Sequence, residues 1–210
     1  MDSNTKQIQR IQAETAKKNL ELRQFQCSIV EDEKEALELI KTLVKPNDMV
    51  SVGGSMTLFE TGVIDWLENN KEIEYLDRYH TEDAQEVFRK SFYADVYLTS
   101  TNALTLDGKL LNVDGNGNRV AAMIYGPKKV VVLTGINKLV KDEAAAIERI
   151  QMIAAPANCV RLNKDTPCTK VGNCVDCLNP KRICASHVKI DRSQTKDRIH
   201  VILMMKEAGY

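Results

Sequence analysis

The sequence predicts an α/β protein: an open, mostly parallel sheet with helices on both faces. Three observations carry this. Short apolar runs ending in Gly, Asn or Asp alternate with stretches of helical periodicity, the order that lays parallel strands beneath covering helices. Lys129 to Thr134 is a continuous, mainly β-branched run, the pattern of a strand buried on both faces. Leu104, Leu106, Leu110 and Leu111 flank Asp107-Gly108, a hairpin signal because glycine takes positive φ without a Cβ penalty.

The elements follow in order. Asn4 to Phe25 is polar and rich in helix formers, with Ile8, Ile11, Leu20, Leu22 and Phe25 as sparse anchors. It reads as an exposed helix that docks on its own domain or forms a homodimer arm. Asp32 to Val44 is amphipathic, with Ala36, Leu37, Ile40, Leu43 and Val44 on one face, and Pro46-Asn47-Asp48 stops it. Met49 to Val52 is a short strand, and Ser55 is placed to cap a helix over Met56 to Thr61. Ile73 to Leu76 is a second strand. Glu82 to Tyr93 sets Ala84, Val87, Phe88, Ser91 and Phe92 at helical spacing, which predicts core aromatics. Asp95 to Thr99 opens another strand, Asp142 to Ala154 a helix with Ile147, Ile150 and Ile153 inward, and Arg198 to Lys206 a last strand. The predicted division is an N-terminal helical arm over 1–30 and an α/β domain over 31–210 that includes a Cys-rich loop at 166–186.

Composition narrows the function classes. Lys plus Arg equals Asp plus Glu, 29 of each, so no global positive field supports nucleic-acid binding. No apolar stretch approaches the ~20 residues that span a membrane. MDSNTKQIQR lacks an apolar leader core, so a cytoplasmic setting is expected. Six cysteines in that setting point to metal or redox chemistry rather than a disulfide scaffold.

Three groups of residues are candidates for chemistry. Gly53-Gly54-Ser55-Met56-Thr57 joins a strand to a helix start, where unsatisfied amides and two hydroxyls suit a phosphate or carboxylate. A turn with an N-cap explains the same residues. Glu60, in the same element, is a candidate acid/base or nucleophile; a solvated helical glutamate is the competing reading. The second group is Asn102, Asp107, Asn112, Asp114, Asn116, Asn118 and Lys138, which offers carboxylate bases and a lysine to neutralise an anion. Turn formation explains most of its members equally well. His80, His187 and His200 are isolated in sequence, with no Ser/His/Asp arrangement.

The third group has the most specific spacing: Cys168-x5-Cys174-x2-Cys177-x6-Cys184. Four soft thiolates satisfy one tetrahedral ion or one cluster, and Lys170, Lys181 and Arg182 offset their charge. Incidental thiols or an oxidation-formed disulfide are the alternative. The single C-x2-C suits zinc, and the spacing differs from the ferredoxin run. Cys27 and Cys159 lie outside the motif and read as small buried apolar residues.

Thr99 to Asp142, with Gly53 to Gly62 and the cysteine cluster, resembles the lactate-utilisation (LUD) domain family, the group that contains lactate utilisation protein C. The resemblance spans roughly residues 35–185. It implies a fold similar to the sugar-phosphate isomerase and CoA-transferase superfamily. It also implies a role in oxidising lactate to pyruvate alongside iron–sulfur partner proteins. That electron-transfer setting leans the cysteine loop towards a [4Fe–4S] cluster over zinc. The related CoA transferases use a glutamate, but the resemblance does not assign that role to Glu60. The leading expectation is therefore a subunit or accessory in oxidation of lactate or a similar 2-hydroxy acid, with a small anionic ligand at the Gly-rich loops. Two alternatives stand beside it: an isomerase or acyl-transferase on a phosphorylated or CoA-linked substrate with structural zinc, and a non-catalytic assembly protein for iron–sulfur partners.

Overall fold

The computed structural model describes residues 2–210. Its elements in order are α1 (Ser3–Leu22), β1 (Gln26–Val30), α2 (Glu33–Leu43), β2 (Met49–Val52), α3 (Met56–Glu60), α4 (Val63–Asn69) and β3 (Glu74–Leu76). Then come α5 (Ala84–Lys90), β4 (Val96–Thr99), β5 (Ala103–Thr105), β6 (Leu110–Asp114), α6 (Asn118–Ile124), β7 (Lys129–Gly135) and β8 (Leu139–Val140). The chain ends with α7 (Glu143–Arg149), α8 (Ala155–Arg161), α9 (Cys168–Val171), β9 (Ser186–Ile190) and β10 (Ile199–Met204).

Six strands form one sheet in the order β1-β10-β7-β4-β2-β3, with every neighbouring pair parallel. β7 lies inside it, which is why its apolar run has no polar alternation. Alternate residues feed the two faces: Val131 and Leu133 pack with Ile40, Leu58 and Leu67 from α2, α3 and α4. Val130 and Val132 pack with Leu20, Ala122 and Met123 from α1 and α6. The predicted α/β class is therefore the observed one. A second, four-stranded sheet, β8-β5-β6-β9, lies beyond the prediction; β5 and β6 make the Asp107-Gly108 hairpin. Leu104 and Leu110 of that hairpin join the core on the α1 side, so the small sheet helps cover the large one.

Several elements differ from expectation. α1 docks through Ala13, Ala16 and Leu20, whereas Ile8, Ile11 and Leu22 are exposed. Small residues suffice there because Asn19 and Arg23 add hydrogen bonds to the carbonyls of Leu106 and Asp107, at 2.8 and 2.6 Å. The aromatics near α5 are not core: Phe88 and Phe92 are half-buried, and Phe88 lies beneath the Arg78 guanidinium at 4.5 Å. Of the three isoleucines expected inward after Asp142, only Ile150 is buried. Ile147 is on the outer side of α7, whose inner face is Ala146 and Arg149, and a π-helical stretch, Ile150–Ala154, follows between α7 and α8. Its i→i+5 turn rotates the following residues away from the 3.6-residue register, which leaves Ile153 on the outside. Among the described residues, no helix is long and apolar enough to cross a membrane.

Candidate functional site

β2, β4 and β7 all deliver their carboxyl ends to one side of the large sheet. From β2 the chain runs outward to β3, whereas the next strand, β4, returns to the other side of β2. The connections leaving β2 and β4 thus diverge, a switch point of the kind that opens a crevice in α/β sheets. A cavity of about 340 Å3 lies there. Gly54, Ser55 and Met56 after β2, Ser100 to Asn102 after β4, and Lys138 after β7 all line it. The turn after β2 needs glycine: a Cβ on Gly53 would sit 2.6 Å from Thr99 Oγ1 and 2.9 Å from Arg119 Cγ.

The centre of the site is Arg119, which no motif in the sequence marks. It is buried at the start of α6. Its Nε and Nη2 donate to Asp114 Oδ1 at 2.9 and 2.6 Å, its Nη1 to Ser100 O and Asn112 Oδ1, both at 2.8 Å, and its Nη2 also to Asn102 Oδ1 at 2.9 Å. Asp114 Oδ2 meanwhile accepts the Val120 amide at 3.0 Å. One guanidinium therefore gathers Asn102, Asn112 and Asp114, three of the polar residues singled out from the sequence, and fixes the loops after β4 and β6. Asn116 and Asn118 are at the cavity wall.

Lys138 is the second centre. A single 3-10 turn, Ile136–Lys138, carries it from the end of β7 into the cavity lining, where it is only 2% exposed. Its Nζ donates to Thr57 Oγ1 at 2.8 Å and Ser100 Oγ at 3.1 Å, two hydroxyls rather than a carboxylate. Burial, then the nearby cations Arg149 and Arg119, push its pKa down to about 7. Arg149 is itself buried and held on the Asn137 and Asn102 carbonyls at 2.9 and 2.6 Å. Arg78, Arg161 and Lys164 add cations to the lining, against Asp114 as its one acidic side chain. With Asp114 already committed to Arg119, the cavity is left with a positive excess.

Glu60 and Asp107 are not part of the cavity lining, although the Glu60 charge is felt at Lys138. Glu60 is exposed at the end of α3, and its Oε2 accepts the Gly209 amide at 2.7 Å. Asp107 sits in the β5–β6 turn, accepting from Thr105 Oγ1 at 2.5 Å and pairing with Lys109 at 2.9 Å. α3 is a helix of five residues, and Ser55 Oγ faces the Leu58 amide at 3.4 Å as its cap. His80 is not isolated in space: its Nδ1 is 2.8 Å from Asp77 Oδ2, whose hydrogen bond raises the imidazole pKa.

All six cysteines are free thiols. Cys168 is buried at the start of α9 with its Sγ 3.3 Å from Thr166 Oγ1, and Cys174 Sγ accepts the Asp176 amide at 3.4 Å. Arg182 holds the carbonyls of Cys177 and Cys184 at 2.5 and 2.9 Å. Residues 172–185 contain no helix or strand. The thiolate donor chemistry fits a soft metal or a cluster. Among the described residues, however, no three of these sulfurs lie within 4.8 Å of one another. Cys159 is buried on α8, and its thiol pKa is raised by burial and by Cys168 and Cys184, so it is neighbour to the loop rather than remote from it. The loop also reaches the cavity: Ile183 lines it, and the Ala185 amide donates to Asp114 O at 2.9 Å.

The fold and site together define an α/β protein with a cationic cavity at the carboxyl ends of a parallel sheet. The chain belongs to the LUD domain family, whose model matches residues 13–204. No curated protein matches it. Among solved structures it is similar to a DUF162 family protein from Deinococcus radiodurans, at 11% identity and a TM-score of 0.52, covering 95% of this chain and 98% of that one. That likeness concerns the fold alone. A weaker similarity, to eIF2B beta from Chaetomium thermophilum, has 11% identity and a TM-score of 0.39 over 53% of this chain and 44% of that one, and carries no argument.

Proposed function

We propose that this is a lactate-utilisation-type protein that binds a small carboxylate or similar anion in the cavity at the ends of β2, β4 and β7. Membership of the LUD domain family supports the general role. The single observation that carries the ligand class is the lining itself: Arg78, Arg161 and Lys164 have no acidic side chain there to balance them once Asp114 is held by Arg119. Cations in a concave, partly desolvated site attract an anion more strongly than the same cations on an open surface. In this reading the protein is a subunit or accessory in the oxidation of lactate, or another small 2-hydroxy acid, to pyruvate, in a cytoplasmic setting with iron–sulfur partner chains.

The cysteine loop belongs to the same proposal. Cys168, Cys174, Cys177 and Cys184 would hold a [4Fe–4S] cluster or zinc once residues 172–185 draw their sulfurs together. A cluster supplies one-electron transfer, whereas zinc only fixes the loop. Either would order Ile183 at the cavity wall.

Thermal unfolding with L-lactate, pyruvate, inorganic phosphate and the neutral compound lactamide tests the ligand class. The reading expects a rise in Tm with one or more of the anions, none with lactamide, and a smaller rise in Arg161→Ala. No rise with any anion contradicts it. A rise with phosphate alone moves the weight to a phosphorylated substrate and the isomerase or transferase alternative.

A further inference from the structure

Lys138 is an unusual residue for simple charge pairing. An ammonium that only holds an anion works best where its charge is favoured. Here the amine is buried, faces two hydroxyls, and shares its surroundings with the guanidiniums of Arg149 and Arg119, against which the exposed Glu60 carboxylate is the weaker, opposing charge. Those arginines are fixed by carbonyls, amides and Asp114, so they do not move away when the lysine charges. The environment therefore keeps about half of the amine neutral at pH 7, and in that form its lone pair is a nucleophile. Capture of the anionic end is left to Arg78, Arg161 and Lys164, which share the cavity lining.

From this geometry we infer that Lys138 forms a reversible imine with a small anion that carries an aldehyde or ketone. The inference rests on the anion-binding reading above and adds a covalent step to it. The Nζ lone pair attacks the carbonyl carbon, and the C=O π pair moves to oxygen. A proton leaves nitrogen for that oxygen, for which the hydroxyls of Thr57 and Ser100, at 2.8 and 3.1 Å from Nζ, are the relay. The resulting carbinolamine expels its hydroxyl as water, taking up a proton as the nitrogen loses its second, and a C=N bond forms. One water is released, and nothing is oxidised or reduced. Hydrolysis reverses the sequence.

Reductive trapping tests this on the full-length chain. The protein is incubated with cyanoborohydride and either pyruvate, a 2-oxo acid, or dihydroxyacetone phosphate, a phosphorylated ketone. Adducts are then mapped by peptide mass in the wild-type protein, so the result does not depend on a variant that folds. The expected outcome at pH 7 is labelling of Lys138 about tenfold or more above any exposed lysine, since exposed lysines stay protonated up to about pH 10. The probe that labels identifies which anionic group the cavity takes. Calorimetry on the same samples separates the two levels of the account. Binding of pyruvate or dihydroxyacetone phosphate without a Lys138 adduct overturns the imine and leaves the anion site standing, whereas neither binding nor adduct overturns both. Labelling spread evenly over exposed lysines, as in urea-unfolded protein, also overturns the imine.

Discussion

Arg119 meets Asp114 through two hydrogen bonds, Nη2 and Nε to the same Oδ1 at 2.6 and 2.9 Å, with both side chains about nine-tenths buried. The pair locks the end of β6 to the start of α6, and the remaining donors of the guanidinium tie in Ser100, Asn102 and Asn112. Removing one member leaves the other charged and buried. Arg119→Ala is therefore expected to lose about 3–5 kcal/mol of stability, the usual cost of breaking a buried pair. Urea denaturation checks this, and a loss below ~1 kcal/mol, the range of an exposed pair, would deny the arginine its organising role.

Lys138 should behave in the opposite way. Its pKa in the folded chain is about 7, against about 10.4 in an unfolded chain. Between those values the unfolded chain binds more protons, so this residue makes folding stability rise as pH increases from 7 towards 10. Lys138→Met removes the penalty and is expected to gain about 1–3 kcal/mol at pH 7, with a flatter pH dependence over that window. Guanidinium chloride titrations of both proteins at several pH values measure it. Equal slopes in the two proteins would mean that the lysine is charged and compensated in the folded state.

The hairpin turn holds the N-terminal helix. Gly108 has a φ of +83°, and a Cβ there would lie 2.7 Å from the backbone of Asn19 and Leu20. Gly108→Ala faces both a strained backbone and contact with α1, so a loss of about 2 kcal/mol or more is expected. Hydrogen exchange should rise in α1 before it rises in the large sheet. Unchanged protection of residues 13–20 would show that the turn does not position the helix.

Metal analysis addresses the cysteine loop. Protein purified without oxygen is expected to carry iron and acid-labile sulfide with a visible absorbance, or zinc without colour. In either case Cys177→Ser should lower the bound metal, and chelation should increase proteolysis within residues 172–185. Metal-free protein with an already protected loop would remove this part of the account.

Much of the large sheet was legible because its strands are short apolar runs cut off by glycine or polar residues. Met49 to Val52 and the Asp107-Gly108 hairpin agree with the structure almost residue for residue. β1 was hidden because Gln26 to Val30 is only five residues long and follows a helix without a Gly or Pro break. The π-helical stretch at Ile150 was not legible, since a one-residue shift of phase leaves no mark in composition. Arg119 illustrates the limit for the site. Between Asn118 and Val120 nothing in the sequence marks it, and its burial depends on acceptors from β6 and from the loop after β4. Lys138 was visible as a lysine just past a buried strand. Its depressed pKa, by contrast, comes from burial and from two arginines distant in sequence.

The most direct test of the central claim is a calorimetric titration of the wild-type protein with pyruvate and with its neutral amide, at low and at moderate salt. Pyruvate should bind saturably, and more weakly as salt screens the Arg78, Arg161 and Lys164 cations, whereas the amide should not bind. Equal binding of both compounds, or of neither, would contradict an anion site at the ends of β2, β4 and β7.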